Sequence, residues 1–483
     1  MKRENIILLS DSYKVGHHAM YPDGTQNVYS YFESRTGAKF TETVFFGLQI
    51  YLKKYFVGQV VTQADIDEAK EFCKTHFMGQ EFFNLDMWQY IVDFHNGHLP
   101  MRIKAVREGT PVSVSNILMD VEITDETLNP RTGKAYCAPL TNFFETILTH
   151  VWHPSNVATI SRNIKKHFKQ AFDKTVPDNL NWLMEYMLHD FGFRGVSSIE
   201  SAGTGGAGQL VNFKGTDTMV AISYIQRYYN TKEMVGHSVA ATEHSVMTAQ
   251  GKDGEFEVVE RLLKQYPTGI LSMVMDSFNT ENFIKVCGTK FKDLILARDG
   301  KLVFRPDSPR FEGDQPQWQI LWLVSELETY FGSTINDKGY KMLNPKIGVI
   351  YGDGLSQEEI IQSVDRLVVN GYAACNCVYG VGGALLQKHN RDTQRNAFKS
   401  SAQKRGGVWH DVYKDPKDKT KASKRGRLAL TKINGQFKTV REEECNAGDN
   451  LLEIVFENGN LIRNMNWDDV RKNAEVESEI HKR

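Results

Sequence analysis

The sequence predicts an α/β protein: an irregular (β/α) barrel-like domain with an additional α+β domain built from the N-terminal and C-terminal parts of the chain. Three observations lead there. At 483 residues the chain exceeds the size at which a single hydrophobic core stops growing, so two domains are expected. Near residue 150 the pattern changes, and from 151 to 400 short apolar runs alternate with longer amphipathic stretches, as in βα units around a parallel sheet. Those runs end in polar or glycine-rich phrases, and barrels and doubly wound sheets both hold ligands at the carboxyl ends of their strands.

Residues 1–150 mix strand-like runs ("QNVYSYFESR", "MRIKAVREG") with helical patterns such as "QADIDEAKEFCKTHF", where apolar positions recur at intervals of three and four. This is the α+β domain, completed by part of 400–483. The catalytic barrel-like domain, 151–400, carries six loaded strand exits: "LHDFGFRG" (188–195), "LVNFKGTDT" (210–218), "LSMVMDSF" (271–278), "KLVFRPDS" (301–308), "IGVIYGDG" (347–354) and "CNCVYGVGGALLQK" (375–388). Helices such as "GEFEVVERLLKQY" and "SQEEIIQSVDRLVVN" fall between them. The basic, turn-rich stretch from about 405 to 430 reads as a solvated surface loop.

Composition narrows the function. A net charge of -1, with 41% hydrophobic and 24% charged residues, provides no field for nucleic acid or an anionic membrane. The apolar stretch Ile6–Leu9 is too short for a signal-peptide core, and no run approaches the roughly 18 apolar residues of a membrane span. Six cysteines without zinc spacing point to reduced thiols in a cytoplasmic protein, with Cys375 and Cys377 as packing residues.

Two motif matches fail on context. "GTGGAG" (203–208) fits a dinucleotide loop by spelling, but no apolar strand precedes it, so its small residues serve close helix packing. No GxxxxGK[ST] phosphate loop exists. Stronger phosphate candidates are "GVGGALLQK", with Gly380, Gly382 and Gly383 before a helix start, and "GDG" at Gly352, Asp353 and Gly354. Carboxylates stand at five exits (Asp190, Asp217, Asp276, Asp307, Asp353) beside Arg194 and Arg305. Arginines and backbone amides suit phosphates; aspartates suit hydroxyls and a hydrated magnesium ion. Together they describe a site for an activated sugar phosphate. Pro306 fixes the backbone between Arg305 and Asp307, and residues two apart on extended chain face the same side. Tyr13, Phe191 and Phe193 are core residues or stacking walls for a planar ligand.

The ordered phrases "DSYKVGHHAMYP", "HDFGFRGVSS", "LVNFKGTDT", "ATEHSVMTA", "DSF", "RPDS", "GDG", "GGALLQKHNRD" and "KRGRL" cover nearly the whole chain. As a set they resemble the nicotinamide phosphoribosyltransferases of the type II phosphoribosyltransferase family. The resemblance implies displacement of pyrophosphate from 5-phosphoribosyl 1-pyrophosphate by nicotinamide, in a cytoplasmic homodimer with sites at the subunit interface. It also implies Mg2+ with the donor and ATP as a coupled, facultative substrate.

Residue by residue, it assigns Phe191 and Tyr13 to the two faces of the pyridine ring, with Tyr13 from the second subunit, and Arg194 and Asp217 to the carboxamide. Asp276 and Asp307 are implied for the ribose hydroxyls or metal-bound pyrophosphate, and Arg305, Gly352, Asp353, Gly382 and Gly383 for the phosphates. Arg35, Arg391 and Lys399 are implied at the pyrophosphate end, and His244 matches the histidine phosphorylated in ATP coupling. One departure follows "RPDS", where the family usually has glycine and this chain has Pro309, Arg310 and Phe311, offering Arg310 as an extra phosphate contact. Competing readings are a nicotinate phosphoribosyltransferase, a non-catalytic nucleotide-binding protein, and a barrel aldolase or isomerase; the last would want a lysine or glutamate at a strand end.

Overall fold

The computed structural model describes residues 4–417, 422–446 and 448–476. The chain divides into two compact units. One comprises 1–159, 224–231 and 390–474; the other comprises 160–223, 232–389 and the final stretch from 475.

The first unit is built on a seven-stranded sheet in the order Val408–Asp411, Ala397–Arg405, Thr25–Glu33, Ile117–Ile123, Met101–Ala105, Glu453–Glu457, Asn460–Leu461, all paired antiparallel. The central strand Ile117–Ile123 is buried along its whole length, with Asp120 and Glu122 set among its five apolar residues. Helix Gln63–His76 begins where Thr62 and Asp65 satisfy each other's backbone N–H groups in a capping box, and it buries Ile66, Ala69 and Cys73 at helical spacing. The stretch expected as a surface loop is only partly so. Val408–Asp411 pairs with Ala397–Arg405, and Leu428–Ile433 forms a hairpin with Gln436–Arg441 whose first three residues are buried. Apolar Leu428, Ala429 and Leu430 after the basic run provide the burial that the charge pattern conceals. Residues 418–421 of that stretch lie outside the described residues.

The second unit is a ring of parallel strands: β1 (Leu188–Asp190), β2 (Gly215–Thr216), β3 (Ala240–Ala241), β4 (Thr268–Val274), β5 (Asp299–Arg305), β6 (Ile347–Tyr351) and β7 (Cys377–Val381). Their order is β2-β1-β7-β6-β5-β4-β3, and every pairing is parallel. The segment around β3 reaches both edges. His237 bridges to Gly215, with Thr216 N–H on His237 O at 3.0 Å and His237 N–H on Lys214 O at 2.7 Å. Ala240 and Ala241 pair with Leu271 and Ser272 of β4. The sheet is thereby curled into an irregular barrel, the fold class the sequence predicts.

Within the ring, β5 alternates as a half-covered strand should: Leu302 and Phe304 are fully buried while Lys301, Val303 and Arg305 are partly exposed. Helices return the chain between strands. Gly251–Gln265 precedes β4, and Gln357–Val369, capped by Ser356 and Glu359, precedes β7. The "GTGGAG" glycines lie inside helix Ile199–Leu210 and are buried; a Cβ at Gly206 would stand 2.7 Å from Ala221 Cβ, so they serve close packing.

Candidate active site

Eleven of the sequence-predicted site residues follow the carboxyl ends of these parallel strands and so gather on one face of the ring. They are Phe191 and Arg194 after β1, Asp217 after β2, His244 after β3, Asp276 after β4, Arg305 and Asp307 at β5, Gly352 and Asp353 after β6, and Gly382 and Gly383 after β7. A cavity of about 610 Å³ opens there, lined among others by Phe191, Phe193, Arg194, Asp217, Thr218 and Arg305.

Phe191 forms one wall. Its N–H donates to Val381 O at 2.9 Å, and the Arg305 guanidinium lies 4.9 Å from its ring centroid. Gly380, a phosphate candidate from its sequence context, instead makes room for this ring: a Cβ there would stand 2.0 Å from Phe191 Cε2. A Cβ at Gly352 would also crowd the ring, at 3.2 Å. Arg194 sits exposed on the short turn Phe193–Gly195. Gly195 packs against the second glycine loop, where a Cβ on it would meet Gly383 N at 3.0 Å. The helix expected from "ALLQK" is a single turn, Gly383–Leu386.

Asp217 is the carboxylate among the residues that line the cavity. His189 Nε2 lies 2.9 Å from its Oδ1, and the Ser238 hydroxyl donates to the same oxygen. Burial pushes its pKa up, but the hydrogen bonds from His189 and Ser238 and the charge of Arg305 outweigh this and hold the carboxyl below its ordinary value. Asp190, directly before the cavity wall, behaves oppositely. It is fully buried, accepts from Gly192 N–H at 2.7 Å, and burial raises its pKa to about 6.

A second cluster centres on Asp276, whose side chain is nearly buried. Its Oδ2 accepts from Asp307 N–H at 3.0 Å and from the Ser308 hydroxyl, while His244 Nε2 lies 3.2 Å from its Oδ1. His244 Nδ1 is 3.9 Å from Asp307 Oδ2, and Arg305 donates to Asp307 Oδ1 at 3.3 Å. The pairing of Arg305 with Asp307 across Pro306 matches their expected projection to one side. Asp353 has a raised pKa, first through burial and then through the neighbouring charges of Asp307 and Asp276. Asp353 therefore sits in the negative field of those two carboxylates.

The loop beyond "RPDS" corrects one expectation. Arg310 is not presented to a phosphate: its Nε donates to Asp314 Oδ2 at 2.7 Å and its guanidinium lies 4.3 Å from the Trp322 ring centroid. Gln319 fastens the loop by donating to Ser308 O at 2.8 Å, and Tyr351 donates to Gln319 Oε1 at 3.0 Å.

The remaining predicted residues lie in the first unit. Tyr13 is 62% exposed on the short turn Ser12–Gly16, with Lys14 Nζ 5.3 Å from its ring centroid. Arg35 Nε donates to Arg395 O at 3.1 Å. Lys399 pairs with Tyr31 across the sheet, and burial followed by the charge of Arg35 lowers its pKa. Arg391 is more than half exposed on the turn Arg391–Thr393. His189 and Ser238 escaped the sequence reading. The "HD" before "FGFRG" was the available signal for His189; Ser238 sits in a segment too short and polar to register as a strand.

A parallel barrel with a cavity, a carboxylate cluster and two glycine loops at its strand ends belongs to the class of α/β barrels that hold ligands at the carboxyl ends of their strands. Comparison with known proteins makes this specific. Residues 186–460 match the nicotinate phosphoribosyltransferase (NAPRTase) family, and residues 5–103 match the N-terminal domain of nicotinamide phosphoribosyltransferase. The chain belongs to the nicotinate phosphoribosyltransferase family. It is 41% identical over 483 residues to a nicotinamide phosphoribosyltransferase of Xanthomonas campestris pv. campestris (strain 8004), covering 98% of each chain. It is 33% identical to the protein of that name from Mycoplasma pneumoniae, covering 87% of this chain and 95% of the relative. In fold it is similar to human nicotinic acid phosphoribosyltransferase (TM-score 0.54, 12% identity, 97% and 93% of the two chains). It is similar as well to nicotinate-nucleotide pyrophosphorylase from Pyrococcus furiosus (TM-score 0.55, 13% identity, 98% and 96%).

Proposed function

We propose that this protein is a nicotinamide phosphoribosyltransferase, joining nicotinamide to 5-phosphoribosyl 1-pyrophosphate to give nicotinamide mononucleotide and pyrophosphate in NAD salvage. The observation that carries the substrate choice is Asp217, held ionised beside the Phe191 wall. A carboxylate accepts hydrogen bonds from a carboxamide NH2 but repels the carboxylate of nicotinate, and like-charge juxtaposition costs on the order of several kcal/mol. Relatives named for nicotinamide, and the match to their N-terminal domain, support the same choice.

In this reaction the pyridine nitrogen forms a bond to the ribosyl carbon as the bond from that carbon to the pyrophosphate oxygen breaks. The attacking lone pair is already free, so no general base is required. Phe191 stacks on the ring and Arg194 and Asp217 hold its amide. Asp276 and Asp307 place negative charge beside a ribosyl centre that becomes cationic, and Arg305 and Asp353 with the loops at Gly352 and at Gly382 and Gly383 surround the phosphates.

The carboxylate cluster fits Mg2+ brought by the donor. Asp353 feels the charges of Asp307 and Asp276, and a cation would relieve that repulsion. Bound with the donor, the ion neutralises charge on the leaving pyrophosphate.

We assign ATP as a facultative substrate acting through phosphorylation of His244, which lies between Asp276 and Asp307. The assembly is a cytoplasmic homodimer in which Tyr13, Arg35, Arg391 and Lys399 of a second subunit complete the ring-binding and pyrophosphate ends. Among the described residues no helix is long and apolar enough to cross a membrane. Incubation with the donor, Mg2+ and nicotinamide is expected to yield nicotinamide mononucleotide and pyrophosphate; absence of both from folded protein would overturn the reading.

A further inference from the structure

Three contacts converge on His189, a 9% exposed residue of β1. Its Nε2 lies 2.9 Å from Asp217 Oδ1, the oxygen that also accepts from Ser238. An ionised carboxylate only accepts, so Nε2 carries the proton in this pair. Both protein donors occupy the same carboxylate oxygen, which leaves Oδ2 for a ligand in the cavity that Asp217 lines. On its other side the imidazole rests against β2. A Cβ at Gly215, its register partner, would stand 2.8 Å from His189 Nδ1. The imidazole also meets the stacking wall, with its ring centroid 4.9 Å from that of Phe191 at an interplanar angle of 47°. One nearly buried side chain therefore touches both the wall assigned to the pyridine ring and one of the two residues assigned to its carboxamide.

We propose that His189 is a specificity-positioning residue. By holding Asp217 through Oδ1 and bracing the Phe191 ring, it presents Oδ2 to the amide hydrogens of the bound ring and so sets the preference for amide over acid. The proposal rests on the reading of the cavity as a nicotinamide site. Of the two effects, the hold on Asp217 dominates selectivity, because amide and acid share the ring that Phe191 contacts and differ only at the group Asp217 addresses.

Steady-state kinetics with nicotinamide and with nicotinate, at saturating donor, test it. His189→Ala is expected to raise the KM for nicotinamide by about tenfold or more, the scale of one charge-assisted hydrogen bond, and to narrow the amide-to-acid ratio. The KM for the donor should not change. His189→Gln, whose side-chain amide nitrogen can stand in for Nε2, should restore most of the ratio. His189→Asn, whose shorter side chain stops short of Asp217, should behave as the alanine variant does and serves if alanine fails to fold. In an Asp217→Asn background, His189→Ala should leave the ratio where Asp217→Asn alone puts it. A wild-type ratio in the alanine and asparagine variants, or an equal change in the Asp217→Asn background, would overturn the role. Wild-type protein that makes no nicotinamide mononucleotide would sink the cavity reading itself, and this is measured first.

Discussion

The acceptor cavity and the carboxylate cluster use the same side chain to opposite ends. At Asp217, hydrogen bonds from His189 and Ser238 and the nearby charge of Arg305 overcome burial and keep one carboxylate ionised, a fixed acceptor in a defined place. At Asp353, burial is reinforced by Asp307 and Asp276, so proton affinity rises. Residue type alone does not distinguish them. The difference lies in who the neighbours are.

That division can be broken from either side. The largest effect is expected for Asp307→Ala, which removes the carboxylate between Arg305 and His244. Its kcat/KM for the phosphoribosyl donor should fall by about 10²-fold or more, the scale of losing one preorganised electrostatic group, while nicotinamide binding in an equilibrium titration is retained. Gly380→Ala should do the reverse. The new Cβ would collide with Phe191, the ring must leave its seat, and kcat/KM for nicotinamide should drop by about 10²-fold, as a misplacement near 1 Å costs. Its donor KM should stay close to wild type. Equal losses for both substrates in either variant would mean that the two regions are one.

How much of this was written in the sequence depends on how local each signal is. The six loaded exits were legible because an apolar run followed by a charged or glycine-rich phrase is a contiguous pattern, and Arg305 with Asp307 could be paired by counting along an extended strand. The seventh strand, Ala240–Ala241, was not. It is two residues long, partly exposed, and earns its place through partners near residues 215 and 271 rather than through its own hydrophobicity.

Gly380 was read as a phosphate glycine because strand-to-helix glycines commonly serve that purpose, whereas its actual neighbour is a ring 189 positions earlier in the chain. Proximity to "RPDS" suggests a phosphate for Arg310. Its true partners, Asp314 and Trp322, appear only when the following helix folds back over the loop. For His189 the "HD" phrase is only a weak signal: a lone histidine in a strand is usually a packed core residue, and the alignment of β1 with β2 is what brings it to Asp217.

The central claim, that an ionised Asp217 selects the amide, is tested most directly by Asp217→Asn. Measured as the ratio of kcat/KM for nicotinamide to that for nicotinate, the variant is expected to fall by about tenfold or more, because the repelled acid regains access as the amide loses its acceptor charge. A ratio unchanged from wild type, in a variant that folds and still turns over, would contradict the account.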